Sequence, residues 1–450
     1  MQRWLIVALG TALAAALVGA LLLPGEAPSS EEGSAGTGPP TAAEAVAAGA
    51  QRSDLCLDCH REVTPNLVRD FEQSVMYQAG LSCSSCHGSE HTTPEDVAEA
   101  QLPTAQTCAQ CHPQRVEEFS QGKHAKAWLA MSAMPATHYQ PLELISGRKG
   151  CGGCHKIGLK TEEEIRQLKA QGFDYGVASC DSCHTRHAFS VAEAREPESC
   201  ATCHMGFDHP QWEMWTTSKH GTRYLLKREG VLPEEAAAPS CQTCHMPEGN
   251  HEVRTAWGFL AVRLPLPDDP QWAEDRVTIL KALGVLNPET GEPTGRLDAV
   301  KAADVARLTE EAWQVEREKM LNTCTQCHSR SFAEEELQNA DELIRQADSL
   351  LAEAIRVVEA LYEDGILEKP DIYEFAYPDL LLFHEAATPI EQKLYKMFLE
   401  YRMRAFQGAF HANPDYAFWY GWAEMRSTLT EIQAMAEELR RSAGAATQTP

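Results

Sequence analysis

This chain has no spare cysteine and little positive charge, and each shortage excludes a class of protein. Its 39 lysines and arginines stand against 65 aspartates and glutamates, a formal charge of −26. Such a surface repels phosphates, which argues against a nucleic-acid partner, and no polybasic patch suited to anionic lipid is visible. All 16 cysteines fall in one repeated pattern. None remains for a disulfide framework, an iron–sulfur cluster or a catalytic thiol.

The pattern is CxxCH, and it occurs eight times. In chain order the motifs are Cys56-Cys59-His60, Cys83-Cys86-His87, Cys108-Cys111-His112 and Cys151-Cys154-His155, then Cys180-Cys183-His184, Cys200-Cys203-His204, Cys241-Cys244-His245 and Cys324-Cys327-His328. CxxCH is the attachment signature of c-type haem: two cysteines form thioethers and the histidine binds the iron from one side. Zinc sites do not need a histidine after every second cysteine, and a disulfide framework does not repeat one spacing so often. The sequence therefore predicts eight covalently bound haem c groups.

The uncharged run from Trp4 to Leu23 is longer than the apolar core of a signal peptide and matches one membrane span. Its length favours a retained anchor over a cleaved signal, so residues 1–23 are expected to be an anchor or signal peptide at the inner membrane. The rest would lie on the periplasmic side, where haem c is attached. Residues 24–52 read as a flexible linker, rich in Pro, Gly, Ala, Ser and Glu and without apolar periodicity.

Seven motifs lie between Cys56 and His245, roughly 27 residues for each. So little chain per porphyrin builds no ordinary core, so the haems must be the core and pass electrons to one another. The expected fold is mainly α: a haem-packed multihaem cytochrome c domain over 53–330 with little sheet, then long C-terminal helices over 331–441 and a tail over 442–450. The motif-free stretch 246–320 reads as a covering loop region with a short helix or two. Leu343, Ala347, Leu350, Ala354, Val357 and Leu361 form a helical seam ending near Gly365. Thr388-Pro389-Ile390-Glu391 has the capping-box pattern, followed by a face of Ile390, Leu394, Met397, Tyr401 and Ala405. A third seam runs through Trp422, Met425, Leu429, Ile432, Ala436 and Leu439. These helices would clamp the haem domain or pair with another subunit.

Nine histidines lie outside the motifs: His91, His124, His138, His187, His209, His220, His251, His384 and His411. Eight six-coordinate irons would consume eight of them. A catalyst needs one iron with an open position, and the count permits one.

The run CDSCHTRHAFSVAEAREPESCATCHMGFDHPQWEMWTTSKHG over 180–221, with APSCQTCHM at 238–246 and TCTQCHSRSF at 323–332, resembles the octahaem hydroxylamine oxidoreductase family. The resemblance implies that the haem on Cys151, Cys154 and His155 is five-coordinate and catalytic, with Asp208 and His209 as the acid–base pair above it. It matches His91, His124, His187, His220, His251 and His411 to distal ligands of other haems. His138 and His384 receive no role.

Two departures from the family pattern stand out. Where the family carries a distal histidine between the first two motifs, this chain has Ser74-Val75-Met76. Met76 could ligate there and raise that haem's potential relative to a His/His pair, or it could be packing, with His138 or His384 filling in. Oxidative members also carry a tyrosine that bonds to the catalytic porphyrin of a neighbouring subunit. The corresponding segment here, His411 to Trp422, places Phe418 or Trp419 at that position, with Tyr416 and Tyr420 close by. Without the cross-link, the resemblance implies reduction of nitrite and/or hydroxylamine to ammonium. The alternatives are hydroxylamine oxidation, with Tyr416 or Tyr420 as the cross-link, and a purely electron-transferring cytochrome. The imidazole of His209 suits proton delivery, oriented by Asp208. Expected partners are the small nitrogen substrate (nitrite, hydroxylamine or nitric oxide) and a redox cytochrome or quinol-oxidising membrane protein. The resemblance also implies a homotrimer.

Overall fold

The computed structural model describes residues 53–132, 151–171, 179–254, 266–304, 306, 308–382 and 385–446. The expected N-terminal anchor, His138 and His384 lie outside the described residues. The fold is mainly α. Among the described residues there is no strand, only an isolated bridge between Leu286 and Pro293. None of the described helices is long and apolar enough to cross a membrane.

The motif-bearing region is made of short helices and turns. Helices α1 (Ser53–Val63) and α2 (Pro65–Glu72) meet at Thr64, with Pro65 in the first turn of α2, where a missing N–H costs nothing. Their small apolar cluster is Leu57, Val68 and Phe71. Further on come α3 (Pro113–Gln121), α4 (Glu162–Ala170), α5 (Gln211–Thr217) and α6 (Lys219–Arg228). Thr161 and Glu164 form a capping box at the start of α4, and Ser218 caps α6 through the Gly221 N–H.

The stretch expected to be a covering loop region with a short helix or two does carry helices, and more of them than expected. It forms α7 (Pro270–Ala282), a turn-length helix over Arg296–Ala302, and α8 (Glu310–Cys324). Ile279, Leu280, Leu283, Val285, Leu286 and Leu297 are buried in the main apolar core. α7 is packed on both sides, so its apolar residues do not fall on one stripe and its helical period is weak in the sequence.

That core is built by α7, α9 (Arg330–Glu363), α10 (Pro389–Lys396), α11 (Met403–Phe410) and α12 (Ala423–Ala446). Of the seam expected on α9, Ala347, Leu350, Ala354 and Leu361 are buried and Leu343 and Val357 are half-buried, and Ile344, Leu351, Ile355 and Val358 widen the buried face. The helix stops at Asp364, and Gly365 takes the left-handed conformation (φ +66°) that ends the turn. At Thr388 the predicted capping box takes another form. The Thr388 hydroxyl donates to the Glu391 carboxylate instead of accepting from the backbone, and Glu391 also accepts from the Tyr362 hydroxyl.

Two π-helical turns, Met397–Arg402 and Ala417–Trp422, precede α11 and α12. The first carries Arg402 into the core, where its Nη2 lies 2.7 Å from the fully buried Asp348. Arg276 reaches the other carboxylate oxygen at 2.8 Å, and Trp272 donates to it through Nε1 at 2.8 Å. Burial opposes ionisation of Asp348, but the two guanidiniums hold its carboxyl below the usual range.

Candidate functional site

One connected cavity of about 2590 Å³ runs through the motif-bearing region. It is several times larger than an ordinary small-molecule pocket, roughly 300–1,000 Å³. Every motif histidine lines it, as do all motif cysteines except Cys59 and Cys327. Among the described residues, no three His, Cys, Asp or Glu side chains converge as a protein-only metal centre requires.

Histidines meet in pairs instead. Ring centroids stand 6.1 Å apart for His60 and His91, 6.1 Å for His87 and His187, and 6.0 Å for His204 and His124. The same spacing recurs at 6.3 Å for His184 and His251, 6.3 Å for His245 and His411, and 6.1 Å for His328 and His220. An imidazole nitrogen binds a first-row metal at about 2 Å and lies about 1 Å from its own ring centre. Two imidazoles on opposite sides of one ion therefore stand about 6 Å apart. Each pair joins one motif histidine to one of the six histidines that the sequence matched to distal positions. The donor set, its spacing and the cavity all fit haem held through CxxCH.

The backbone orients these rings through their Nδ1 atoms, leaving Nε2 for the cavity. His87 Nδ1 donates to the Gln101 carbonyl at 3.0 Å, His155 to Ala127 at 2.7 Å, His251 to Gly249 at 2.9 Å and His411 to Gln407 at 2.7 Å. His91 Nδ1 lies 2.8 Å from the Asp96 carboxylate, which also accepts the Thr92 and Thr93 N–H groups.

The motifs approach one another through their cysteines. Cys108 neighbours Cys180, Cys154 neighbours Cys203, and Cys200 neighbours Cys241. Cys83 neighbours Cys56, Cys86 neighbours Cys108 and Cys111, Cys183 neighbours Cys200, and Cys244 neighbours Cys324. The resulting order is first, second, third, fifth, sixth, seventh and eighth, with the fourth motif beside the sixth.

The fourth motif has different surroundings. The short loop between His204 and α5 turns at Gly206 (φ +91°), whose N–H is held by Glu213 at 2.9 Å. It is anchored by the buried Met214 and Trp215. This loop presents Asp208 and His209, with His209 Nδ1 3.2 Å from the Asp208 carboxylate. Burial works against the ionised form of Asp208, yet the His209 hydrogen bond and charge hold its carboxyl below the usual range. Burial is also the main cause lowering the titration of His155, with smaller influences from the Ala127 carbonyl, His209 and Asp208. His209 also stands 6.0 Å from His204, the spacing His204 keeps with His124. Of these two neighbours of His204, His209 is the one with a carboxylate on Nδ1 and an influence on His155.

Two further residues were not singled out in the sequence. Burial, then the neighbouring Asp208, pushes the Tyr395 phenol of α10 well up. Gln407 of α11 donates to the Asp208 carbonyl at 3.4 Å, while its own carbonyl orients His411. Both lie about 190 residues beyond the pair they approach, so only the folded chain shows the association. Met76 lines the cavity and packs against the cluster of Leu57, Val68 and Phe71, as Cys83 does. Phe418, Trp419 and Tyr420 are exposed, at 41%, 63% and 56%, and the Tyr416 and Tyr420 rings lie 4.9 Å apart.

A family model described as "Seven times multi-haem cytochrome CxxCH" matches residues 79–278 and 296–371, more than half of the chain. A second, for cytochrome c7 and related cytochrome c, matches residues 43–113. A probable nitrite reductase–hydroxylamine oxidoreductase fusion protein of Kuenenia stuttgartiensis is 27% identical over 486 residues, covering 87% of this chain and 52% of that protein. The chain thus spans about half the length of that relative. The multihaem cytochrome c subunit of a menaquinone reductase from Nitratidesulfovibrio vulgaris is 26% identical over 184 residues, covering 38% of this chain and 63% of that one. Among solved structures, the reducing HAO-like protein complex of Kuenenia stuttgartiensis matches with a TM-score of 0.63 at 25% identity, covering 88% of this chain and 87% of that one. A hypothetical multihaem protein also reaches 0.63, at 21% identity, over 90% and 99% of the two chains. That second likeness bears on the fold alone.

Proposed function

Because the chain belongs to the multihaem cytochrome c family, among its hydroxylamine-oxidoreductase-like members, we propose that it reduces nitrite and/or hydroxylamine to ammonium. The reaction would take place at the fourth of eight haem groups, the one on Cys151, Cys154 and His155. The observation that carries this reading is the Asp208–His209 pair placed beside that motif. A haem iron with an open position supplies a site for a nitrogen ligand and the electrons to reduce it.

The chain's own residues then handle position and protons. Asp208 accepts the Nδ1–H of His209, which fixes the tautomer and leaves Nε2 to deliver a proton. Tyr395, near Asp208, stays protonated at neutral pH and adds no charge there. Reducing nitrite consumes six electrons and several protons, so a line of neighbouring haems suits the reaction by letting intermediates stay bound. His91, His124, His187, His220, His251 and His411 would help hold six other haems, each together with the motif histidine it faces.

Phe418 and Trp419 at the cross-linking position support reduction, as does likeness to a complex described as reducing. Tyr416 and Tyr420, whose rings lie close together at a tilt, are what an oxidising enzyme would use instead. Multihaem cytochromes receive their haem outside the cytoplasm, and we place this chain on the periplasmic side. Its electrons would come from a cytochrome or a quinol-oxidising membrane protein. Exposed Phe418, Trp419 and Tyr420 would face another copy in a trimer.

His209→Ala tests the reading. We expect turnover of nitrite or hydroxylamine to fall about 10²–10⁴-fold with haem content and the high-spin ferric signal retained. Unchanged turnover removes His209 from the proton path. Absence of any high-spin signal in the parent protein would favour pure electron transfer. A red-shifted ferrous band with covalently joined chains would reverse the proposed direction.

A further inference from the structure

The histidine pairs account for six of the eight motifs, and the fourth faces Asp208 and His209. That leaves His112. Among the described residues no histidine ring stands opposite it at the 6 Å spacing, although His112 lines the same cavity. The described histidines outside the motifs are all placed elsewhere: six in pairs and one beside Asp208. The third motif therefore needs another donor on its far side, or has none.

The cavity wall narrows the choice. Five methionines line it: Met76, Met205, Met246, Met320 and Met403. Met205 and Met246 directly follow His204 and His245, so the chain holds them beside those motifs. Met403 is fully buried in the helical core, and Met320 packs against that core and against the cluster of Leu321, Ala333 and Leu337. Met76 remains. It lines the cavity and packs, as Cys83 of the second motif does, against the cluster of Leu57, Val68 and Phe71, while Cys86 neighbours Cys108 and Cys111 of the third motif. The first and second motifs there already have His91 and His187 opposite their histidines. A ligand offered by Met76 has only the third motif to serve.

The local backbone is built to hold Met76 in place. It sits in a single helical turn, Val75–Gln78, capped by the buried Ser74, whose hydroxyl donates to the Phe71 carbonyl at 2.6 Å and accepts the Tyr77 N–H. The Met76 carbonyl in turn accepts the Leu81 N–H at 3.1 Å.

We infer that the thioether of Met76 is the second axial ligand of the haem on Cys108, Cys111 and His112. This rests on haem attachment and not on the nitrogen chemistry, so the two readings fail separately. A methionine ligand raises the potential relative to a His/His pair. The third haem, between the second and the fifth, then holds an electron more readily than its neighbours.

The test is spectroscopic and redox-based, on purified holoprotein. The ferric protein should show the near-infrared charge-transfer band of a methionine–haem bond, and a redox titration should resolve one component above the rest. In Met76→His the band should vanish and that component should move down, with the high-spin signal of the fourth site unchanged. In Met76→Ala the band should vanish and the reduced protein should bind one further equivalent of carbon monoxide per chain. A parent protein without the band, or a band that survives in Met76→Ala, overturns the assignment. If the parent protein lacks the band and the third haem is low-spin bis-histidine, His138 or His384 is the ligand instead. A second high-spin signal in the parent would mean that the third iron is open.

Discussion

The two halves of this molecule use apolar surface in opposite ways. From α7 onward the chain buries its own side chains: Leu351, Ile355, Leu361, Ile390, Leu394, Phe398 and Met425 have no measurable or almost no exposure. Among the described residues between 53 and 254 the only separate cluster is Leu57, Val68 and Phe71, and the centre is a cavity lined by cysteines and histidines. One half contains its core; the other encloses a core the sequence does not encode. A folded protein's interior is packed to crystal density, so that half must depend on the haem that fills it.

Each of the following changes tests or sharpens the contrast. The largest effect should come from producing the chain without haem attachment. We expect hydrogen-exchange protection over residues 53–254 to be lost while α9 and α12 keep theirs. Uniform loss would show that the two halves unfold as one unit. Next is Asp348→Ala, which strands Arg276 and Arg402 in the helical core and should cost about 3–5 kcal/mol in denaturant unfolding. Haem spectra should not change. Because the native Asp348 carboxyl is held below its usual range, its contribution is present above the unfolded-state value and is lost as the pH falls through the native one. The parent should therefore lose stability below about pH 4 more steeply than Asp348→Asn.

The seam between the halves is a smaller target. Asn413 donates to the Met214 carbonyl and to Thr217 Oγ1, both at 2.8 Å, and accepts the Tyr416 N–H at 3.1 Å. Asn413→Ala should cost about 1–3 kcal/mol by leaving buried groups unpaired, and it should perturb the haem near His411, whereas Asp348→Ala should not. Smallest is Thr161→Ala, which removes one side of the α4 capping box and should cost about 1 kcal/mol of thermal stability.

The same contrast decides what could be read from the sequence. CxxCH spells out its chemistry in five residues, so the attachment points were legible, and so were the long amphipathic helices, whose period repeats over many turns. The place and burial of α7 were not legible, because a helix buried on several sides carries no stripe. The capping box at Thr388 was a correct helix start with the wrong bond, because Glu391 is also claimed by Tyr362 from another helix. Which histidine faces which motif was not legible, since His245 and His411 are far apart in sequence and meet only through the fold. Tyr395 and Gln407 were invisible for the same reason. The gap at position 76 was visible in the sequence, but only the histidine pairing assigns it to the third motif.

Behind the fourth motif the backbone leaves no slack. A Cβ on Gly158 would sit 2.1 Å from the Trp128 nitrogen, the Leu159 N–H donates to the Ala125 carbonyl at 3.0 Å, and His155 is tied to Ala127. Anyone redesigning this protein for a different small molecule should leave that rear wall untouched. Useful diversity lies on the opposite side, in the half-buried loop around Asp208 and in the α10 surface bearing Tyr395. A mutational library confined to those two segments should retain haem loading, whereas one that includes Gly158 should mostly yield unloaded chains.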